Sequence, residues 1–222
     1  MLSHSELHSL LQDQHLRDLI DQTWINIGQS FIEAQALLPA KKAMPRKELS
    51  FHDQVKFLGY LCLLAAPIAG DIMEIGVWKG KSLAFMNEMC GRKRKIIGID
   101  PMELHNQVHE LSFYHQHIFP DAILIRGYSE FSVEHAYQHS SQTALLHIDG
   151  GHLGRNVLLD FLLYSPMLLP GGFLVFDDYA DWEFSPEVGP AVDLLRAGGY
   201  FKDFNIIGSV PGYANSYLLQ KK

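Results

Sequence analysis

Two short stretches of the chain place carboxylates where buried strands should end. LLHIDGGH, residues 145–152, carries Asp149 and His152, and GGFLVFDDY, residues 171–179, carries Asp177 and Asp178. An apolar run that stops on an acid reads as a strand reaching the edge of a sheet. In open α/β sheets, ligands sit at the carboxyl edge. If the two strands are parallel neighbours, Asp149, Asp177 and Asp178 converge there. Three adjacent carboxylates repel one another unless a cation or protons compensate. Oxygen-only ligation favours a hard ion, Mg²⁺, with Mn²⁺ or Ca²⁺ as substitutes. His152 follows Asp149 closely enough for a turn to bring its imidazole beside the same site, where a group that exchanges protons near neutral pH suits a general base. Taken singly, each acid reads as a turn or helix cap, and His152 as one structural histidine among twelve. Taken together they read as a metal and base site.

A second pattern lies upstream. In DIMEIGVWKGKS, residues 71–82, an apolar strand ends in Glu74, Ile75 and Gly76, and Gly80 and Ser82 open a helix. Small residues at such a turn let the backbone approach a ligand, while the helix N-terminus offers unpaired amides. The spacing is not that of a phosphate-binding P-loop, because three residues rather than four separate Gly76 from Gly80, and it is not the dinucleotide GxGxxG. KIIGIDPM, residues 95–102, then ends a second strand on Asp100, 26 residues beyond Glu74. An acid in that place can accept hydrogen bonds from a ribose diol. Glycine turn and acid together point to a nucleoside-bearing cofactor.

These residues need a scaffold. After Gly70 the chain alternates short apolar runs with helical stretches, the texture of a parallel sheet with helices on both faces. Seven strands are expected, at 72–77, 95–100, 122–126, 144–149, 172–176, 204–209 and 216–219. The last two are joined through Pro211 and Gly212 and should form an antiparallel hairpin at one edge. A helix is expected at 52–66. Helical spacing of Leu16, Leu19, Ile20, Trp24, Ile27 and Phe31 predicts one or two amphipathic helices over 7–38. Pro39 to Pro45, with Lys41, Lys42 and Arg46 around it, reads as a linker or loop. The expected division is a helical appendage and linker at 1–50 and an α/β domain at 51–222. Trp24 and Phe31 are expected as exposed apolar positions that either form a lid or acceptor wall, pair with a second copy of the chain, or pack on their own domain.

Composition narrows the classes. The apolar fraction of 47% supplies a sizeable core, and a net charge of −7 argues against a nucleic-acid partner. The basic run Arg92 to Lys95 reads as a solvated turn before a strand. Cys62 and Cys90 lack metal-type spacing and read as free thiols in a reducing compartment. The N-terminal residues lack a signal-peptide pattern, and no segment has the length of a membrane span, so a cytoplasmic protein with no membrane partner is expected.

Taken together, the motifs resemble the class I S-adenosylmethionine-dependent methyltransferases. Glu74, Gly76 and Gly80 match the first motif, and Asp100 matches the ribose-binding acid. The DGGH and FDDY segments are similar to those of metal-dependent sugar O-methyltransferases of the macrocin and mycinamicin group, over roughly residues 71–219. The resemblance implies a seven-stranded Rossmann-like fold, metal ligation by Asp149, Asp177 and Asp178, and His152 as base. It implies cofactor contacts by Glu74, Gly76, Gly80, Ser82 and Asp100, with Gly127, Tyr128 and Ser129 near adenine. Gly151 and Gly154 depart from the group's pattern, where a polar or acidic residue and an aromatic are common.

The implied chemistry is transfer of a methyl group from a sulfonium to an acceptor oxygen in a desolvated pocket. Mg²⁺ or Mn²⁺ would lower the pKa of an acceptor hydroxyl, and His152 would remove its proton. A vicinal diol fits best, hence a sugar, polyol or catechol-like acceptor. The competing readings are a protein that binds the cofactor in a regulatory role without turnover, and a metal-dependent hydrolase, which leaves Asp100 and the glycine turn unexplained.

Overall fold

The structure, a computed structural model, describes residues 1–45, 49 and 52–222. Arg46 and the expected boundary at 50–51 lie outside the described residues. The chain begins with α1 (His4–Gln12) and α2 (Gln14–Leu37). A reciprocal capping box starts α1, in which the Ser3 hydroxyl accepts from the Glu6 amide and Glu6 accepts from the Ser3 amide. Asp13 both ends α1 and caps α2 through the Leu16 amide at 3.1 Å, which explains the break between them. A 3₁₀ turn at Asp53–Val55 precedes α3 (Lys56–Ala65), so the expected single helix at 52–66 starts with a tighter turn.

From Asp71 the chain alternates β1 (Asp71–Ile75), α4 (Lys81–Met89), β2 (Ile96–Asp100), α5 (Gln107–Ile118), β3 (Ile123–Arg126), α6 (Ser129–His139), β4 (Thr143–Ile148), α7 (Gly154–Tyr164), β5 (Leu168–Phe176) and α8 (Val188–Ala197). The hairpin of β6 (Phe204–Val210) and β7 (Tyr213–Lys221) closes the chain. The sheet order is β3-β2-β1-β4-β5-β7-β6, with β1 to β5 parallel and β7 antiparallel to both β5 and β6. The seven expected strands are all present, with ends moved by a few residues. The order reverses direction between β1 and β4, the crevice where ligands bind in doubly wound folds.

Period-two alternation divides the interior into two layers. Ile72, Leu145, Phe173 and Val175 face a core completed by α2 to α5, while Met73, Ile75, Leu146, Ile148 and Phe176 face one completed by α7 and α8. The N-terminal helices belong to the first layer. Trp24 packs edge-on against Phe85 with ring centroids 5.1 Å apart, and Phe31 lies 4.9 Å from Tyr114. Trp24 and Phe31 are therefore buried rather than exposed, and of the readings open from the sequence the structure shows packing on their own domain: the apolar stripe of α2 covers α4 and α5 of its own chain. The opposite face of α2 presents Ile25, Ile32 and Leu37 outward.

The segment around Pro39 is fastened rather than loose. Asn106 donates to the carbonyls of Lys41 at 3.1 Å and Ala43 at 2.8 Å, and the Met44 amide donates to Glu110. Glu110 is buried in an ion pair with Lys79 at 2.9 Å and also accepts from Tyr114. One carboxylate thus ties this segment to the loop between β1 and α4. Among the described residues no helix is long and apolar enough to cross a membrane, and both cysteines are free thiols.

Candidate active site at the carboxyl edge of the sheet

The β1 to α4 turn is built from close backbone approaches. Gly76 has φ +88, and a Cβ there would lie 1.8 Å from the Asp149 carbonyl oxygen. The residue is glycine because the end of β1 abuts the end of β4. Gly80 has φ +83 and caps α4, and a Cβ there would meet Phe119 at 2.4 Å. Among the described residues no side chain caps the α4 N-terminus, the end of a helix that favours polar and anionic ligands. Ser82 stands half-buried in the first turn of that helix.

Asp100 ends β2 as expected, but its carboxylate is already engaged. Oδ2 accepts from the Val77 and Trp78 amides, both at 2.9 Å. Oδ1 accepts from the Met102 amide at 2.6 Å and from Gln107 Nε2 at 3.0 Å. Four donors hold the loop that carries Trp78, whose φ is +53. Ser129 opens α6, and its carbonyl accepts from the Tyr164 hydroxyl at 2.7 Å.

Across the switch point the acids gather. Asp149 follows β4 and donates its amide to the Ile75 carbonyl at 2.8 Å, while the Asp177 amide donates to the Ile148 carbonyl at 3.0 Å. These bonds set the two strand ends side by side. Two groups of ligand-type atoms result, each within 4.8 Å of one another: Asp149 with His152 and Asp178, and Asp149 with Asp177 and His147. Asp149 is the shared member, and the three expected aspartates are split between the two groups. The adjoining cavity, lined by Asp149, Gly150, Gly151, His152, Asp177 and Asp178, has a volume of about 10 Å³, room for one water-sized species. A far larger concavity of about 560 Å³ lies at the opposite edge of the sheet, around Asp71 and Lys95, away from these groups.

His152 Nε2 stands 3.1 Å from Asp178 Oδ2, and the Ser185 hydroxyl bridges His152 Nδ1 and Asp178 Oδ2, each at 2.9 Å. Ser185 thereby fixes the orientation of the imidazole. Asp178 itself has φ +58, left-handed backbone that is uncommon outside glycine and concentrated at functional sites. Gly151, one of the departures noted above, has a local reason: a Cβ there would lie 2.0 Å from Asn156 Nδ2.

Three residues at this edge were absent from the expected site. Ser185 gave no signal, because its loop is remote in sequence from His152. His147 sits one strand period before Asp149 on the same face, and directly beside Glu74 in the β1–β4 register. Its Nδ1 meets Glu74 Oε1 at 2.9 Å, and Glu74 is fully buried beneath the edge rather than open at its mouth. Burial alone would push the imidazole down, but the hydrogen bond and charge of Glu74 and the charges of Asp149 and Asp177 raise it to about 9. Burial and the neighbouring Asp177 push Asp149 well above the usual carboxylate range, and burial also raises Asp177. The His147 imidazole thus faces Glu74, Asp149 and Asp177 within one buried edge. The third residue, Asp160 on α7, is buried below Gly150 and raised to about 6 by desolvation, with Ser129 as its hydrogen-bond partner and Oδ1 unpartnered.

Residues 73–179 match the family model described as a methyltransferase domain. An uncharacterized protein of Acanthamoeba polyphaga mimivirus is 34% identical over 150 residues, spanning 63% of this chain and 67% of that protein. Among solved structures, the O-methyltransferase NovP superposes with a TM-score of 0.63 at 15% identity, covering 90% of this chain and 99% of NovP. An O-methyltransferase from Bacillus cereus in complex with SAH gives a TM-score of 0.63 at 17% identity, with 95% and 96% coverage. CalS11, a TDP-rhamnose 3'-O-methyltransferase of calicheamicin biosynthesis, gives 0.59 at 17% identity, with 90% and 93% coverage. At these identities the structural likeness establishes the fold.

Proposed function

From the premise that the chain belongs to the class I S-adenosylmethionine-dependent methyltransferases, we propose that it transfers a methyl group to a hydroxyl of a small acceptor. In this reading a divalent ion, Mg²⁺ or Mn²⁺, is held at the ends of β4 and β5. The observation that carries it is the convergence of Asp149, Asp178 and His152 beside a cavity of one-ion size, with Asp177 adjacent. The donor set fits the ion: carboxylates from two adjoining strand ends stand close despite their mutual repulsion, an arrangement that a hard divalent ion would stabilise.

When bound, the ion would supply Lewis-acid polarisation of an acceptor oxygen. Within the chain, His152 receives the hydroxyl proton while Ser185 and Asp178 hold its ring in one orientation. The uncapped N-terminus of α4, the Gly76 to Gly80 turn and Asp100 receive the cofactor, a ribose diol taking the place of amide donors now on Asp100. Ser129 lies on the adenine side. Positioning supplies the rest of the catalysis, because methyl transfer requires sulfonium and acceptor in line.

The neighbours NovP and CalS11 support a hydroxylated acceptor, and CalS11 is described as acting on a sugar. The reading thus covers sugars, polyols and catechols. It also includes self-association through Ile25, Ile32 and Leu37 on the outer face of α2. The test is methyl transfer from labelled S-adenosylmethionine to a panel of catechol and sugar-nucleotide acceptors, with and without Mg²⁺. The expected result is incorporation that falls at least tenfold on chelation. Incorporation unaffected by chelation would remove the metal from the reading.

A further inference from the structure

We propose that His147 is a nitrogen ligand of the ion at the β4–β5 edge, oriented by Glu74, so that the site is a mixed imidazole and carboxylate centre rather than an all-oxygen one. The inference rests on the metal-assisted reading above and concerns which residues and which metals complete it. Strand geometry makes the placement. Residues two apart on a strand share a face, so His147 and Asp149 point the same way, and Glu74 is the register partner of His147 on β1. Asp177 follows Phe176, which pairs with Ile148, and so stands beside Asp149.

A ring nitrogen of His147 and carboxylate oxygens of Asp149 and Asp177 already lie within 4.8 Å of one another. Two ligands bound to one ion at ~2.1 Å stand at most ~4.2 Å apart, so small side-chain rotations close the set. Glu74 Oε1 engages Nδ1 at 2.9 Å, which leaves Nε2 as the nitrogen for an ion. A metal-bound histidine characteristically gives its other N–H to a carboxylate, which fixes tautomer and ring angle. Here that arrangement is buried: His147 is 2% exposed and Glu74 0%. An imidazole in the set shifts preference from Mg²⁺ toward Mn²⁺, Fe²⁺, Co²⁺ or Zn²⁺, which accept nitrogen readily.

The experiment is electron spin-echo envelope modulation on the full chain loaded with Mn²⁺, paired with Mn²⁺ and Mg²⁺ titration calorimetry. The wild type is expected to show ¹⁴N modulation and at least tenfold tighter binding of Mn²⁺ than of Mg²⁺. The modulation should survive in His152→Asn and vanish in His147→Asn. Should His147→Asn not fold, Glu74→Gln keeps the imidazole but removes its orienting charge, and Mn²⁺ affinity should drop tenfold to a hundredfold with the modulation retained. Mn²⁺ bound without ¹⁴N modulation, or modulation lost in His152→Asn instead, overturns this assignment while leaving the metal reading standing. No Mn²⁺ or Mg²⁺ binding at all overturns both.

Discussion

At the end of β2, Asp100 accepts four hydrogen bonds from Val77, Trp78, Met102 and Gln107. Across β1, at the end of β4, Asp149 is pushed well above the ordinary carboxylate range by burial and by Asp177. Both residues end a buried parallel strand, and both are acids on one sheet edge. On the β2 side the protein supplies the donors itself, and the charge is spent on holding a loop. On the β4 side the carboxylates of Asp149 and Asp177 crowd one another out of water, and the His147 imidazole faces them together with Glu74. Two acids at one sheet edge thus differ in what a ligand meets there: at Asp100 a ribose diol would displace donors that the chain supplies, whereas at Asp149 a ligand meets crowded carboxylates.

The harshest way to break the contrast is at the joint between the two halves. Gly76→Ala would drive a Cβ to 1.8 Å from the Asp149 carbonyl oxygen at a positive φ, separating β1 from β4. The expected cost is about 4 kcal/mol or more, read as a large drop in Tm or failure to fold. A variant as stable as the wild type would show that the strand ends do not meet as described.

Asp160 sharpens the account of the β4 side. Its carboxyl is raised to about 6, so its ionisation opposes folding: stability is lost as pH rises from about 4 through 6. Asp160→Asn keeps a partner for Ser129 and removes that loss. The gain expected at pH 7.5 is up to about 3 kcal/mol, fading to nothing near pH 4. Equal stability at pH 7.5, measured by urea unfolding, would show that the buried acid is not strained.

The smallest effect is expected at Ser185. Ser185→Ala removes one bridging hydroxyl between His152 and Asp178, costing about 1 kcal/mol of stability at most. Turnover should fall more than acceptor binding does, because the ring of His152 loses its fixed orientation. A change in KM alone would assign Ser185 to acceptor contact.

Much of this was legible in the chain before its fold was known, for identifiable reasons. Strands that end on Asp100, Asp149 and Asp177 announce themselves because an apolar run rarely stops on an acid without reaching an edge. The β6–β7 hairpin was readable from Pro211 and Gly212, a turn in which Gly212 has φ +84. His147 gives little signal because it lies inside an apolar strand, although its spacing from Asp149 places it on the same face. Trp24 and Phe31 were legible as an apolar stripe, but spacing does not say what covers a stripe, and α4 and α5 supply the cover. The saturation of Asp100 is hidden for the same reason: its donors come from the loop after β1 as well as from the segment that follows β2. Ser185 required the tertiary fold, because 33 residues separate it from His152.

The most direct test of the open β4–β5 edge is titration calorimetry of S-adenosylmethionine and of Mg²⁺ with the wild type and with Asp177→Ala. The account predicts that both proteins bind the cofactor within about threefold of each other, while only the wild type binds the ion. Equal loss of cofactor and metal binding in Asp177→Ala, or no cofactor binding by the wild type, would contradict it.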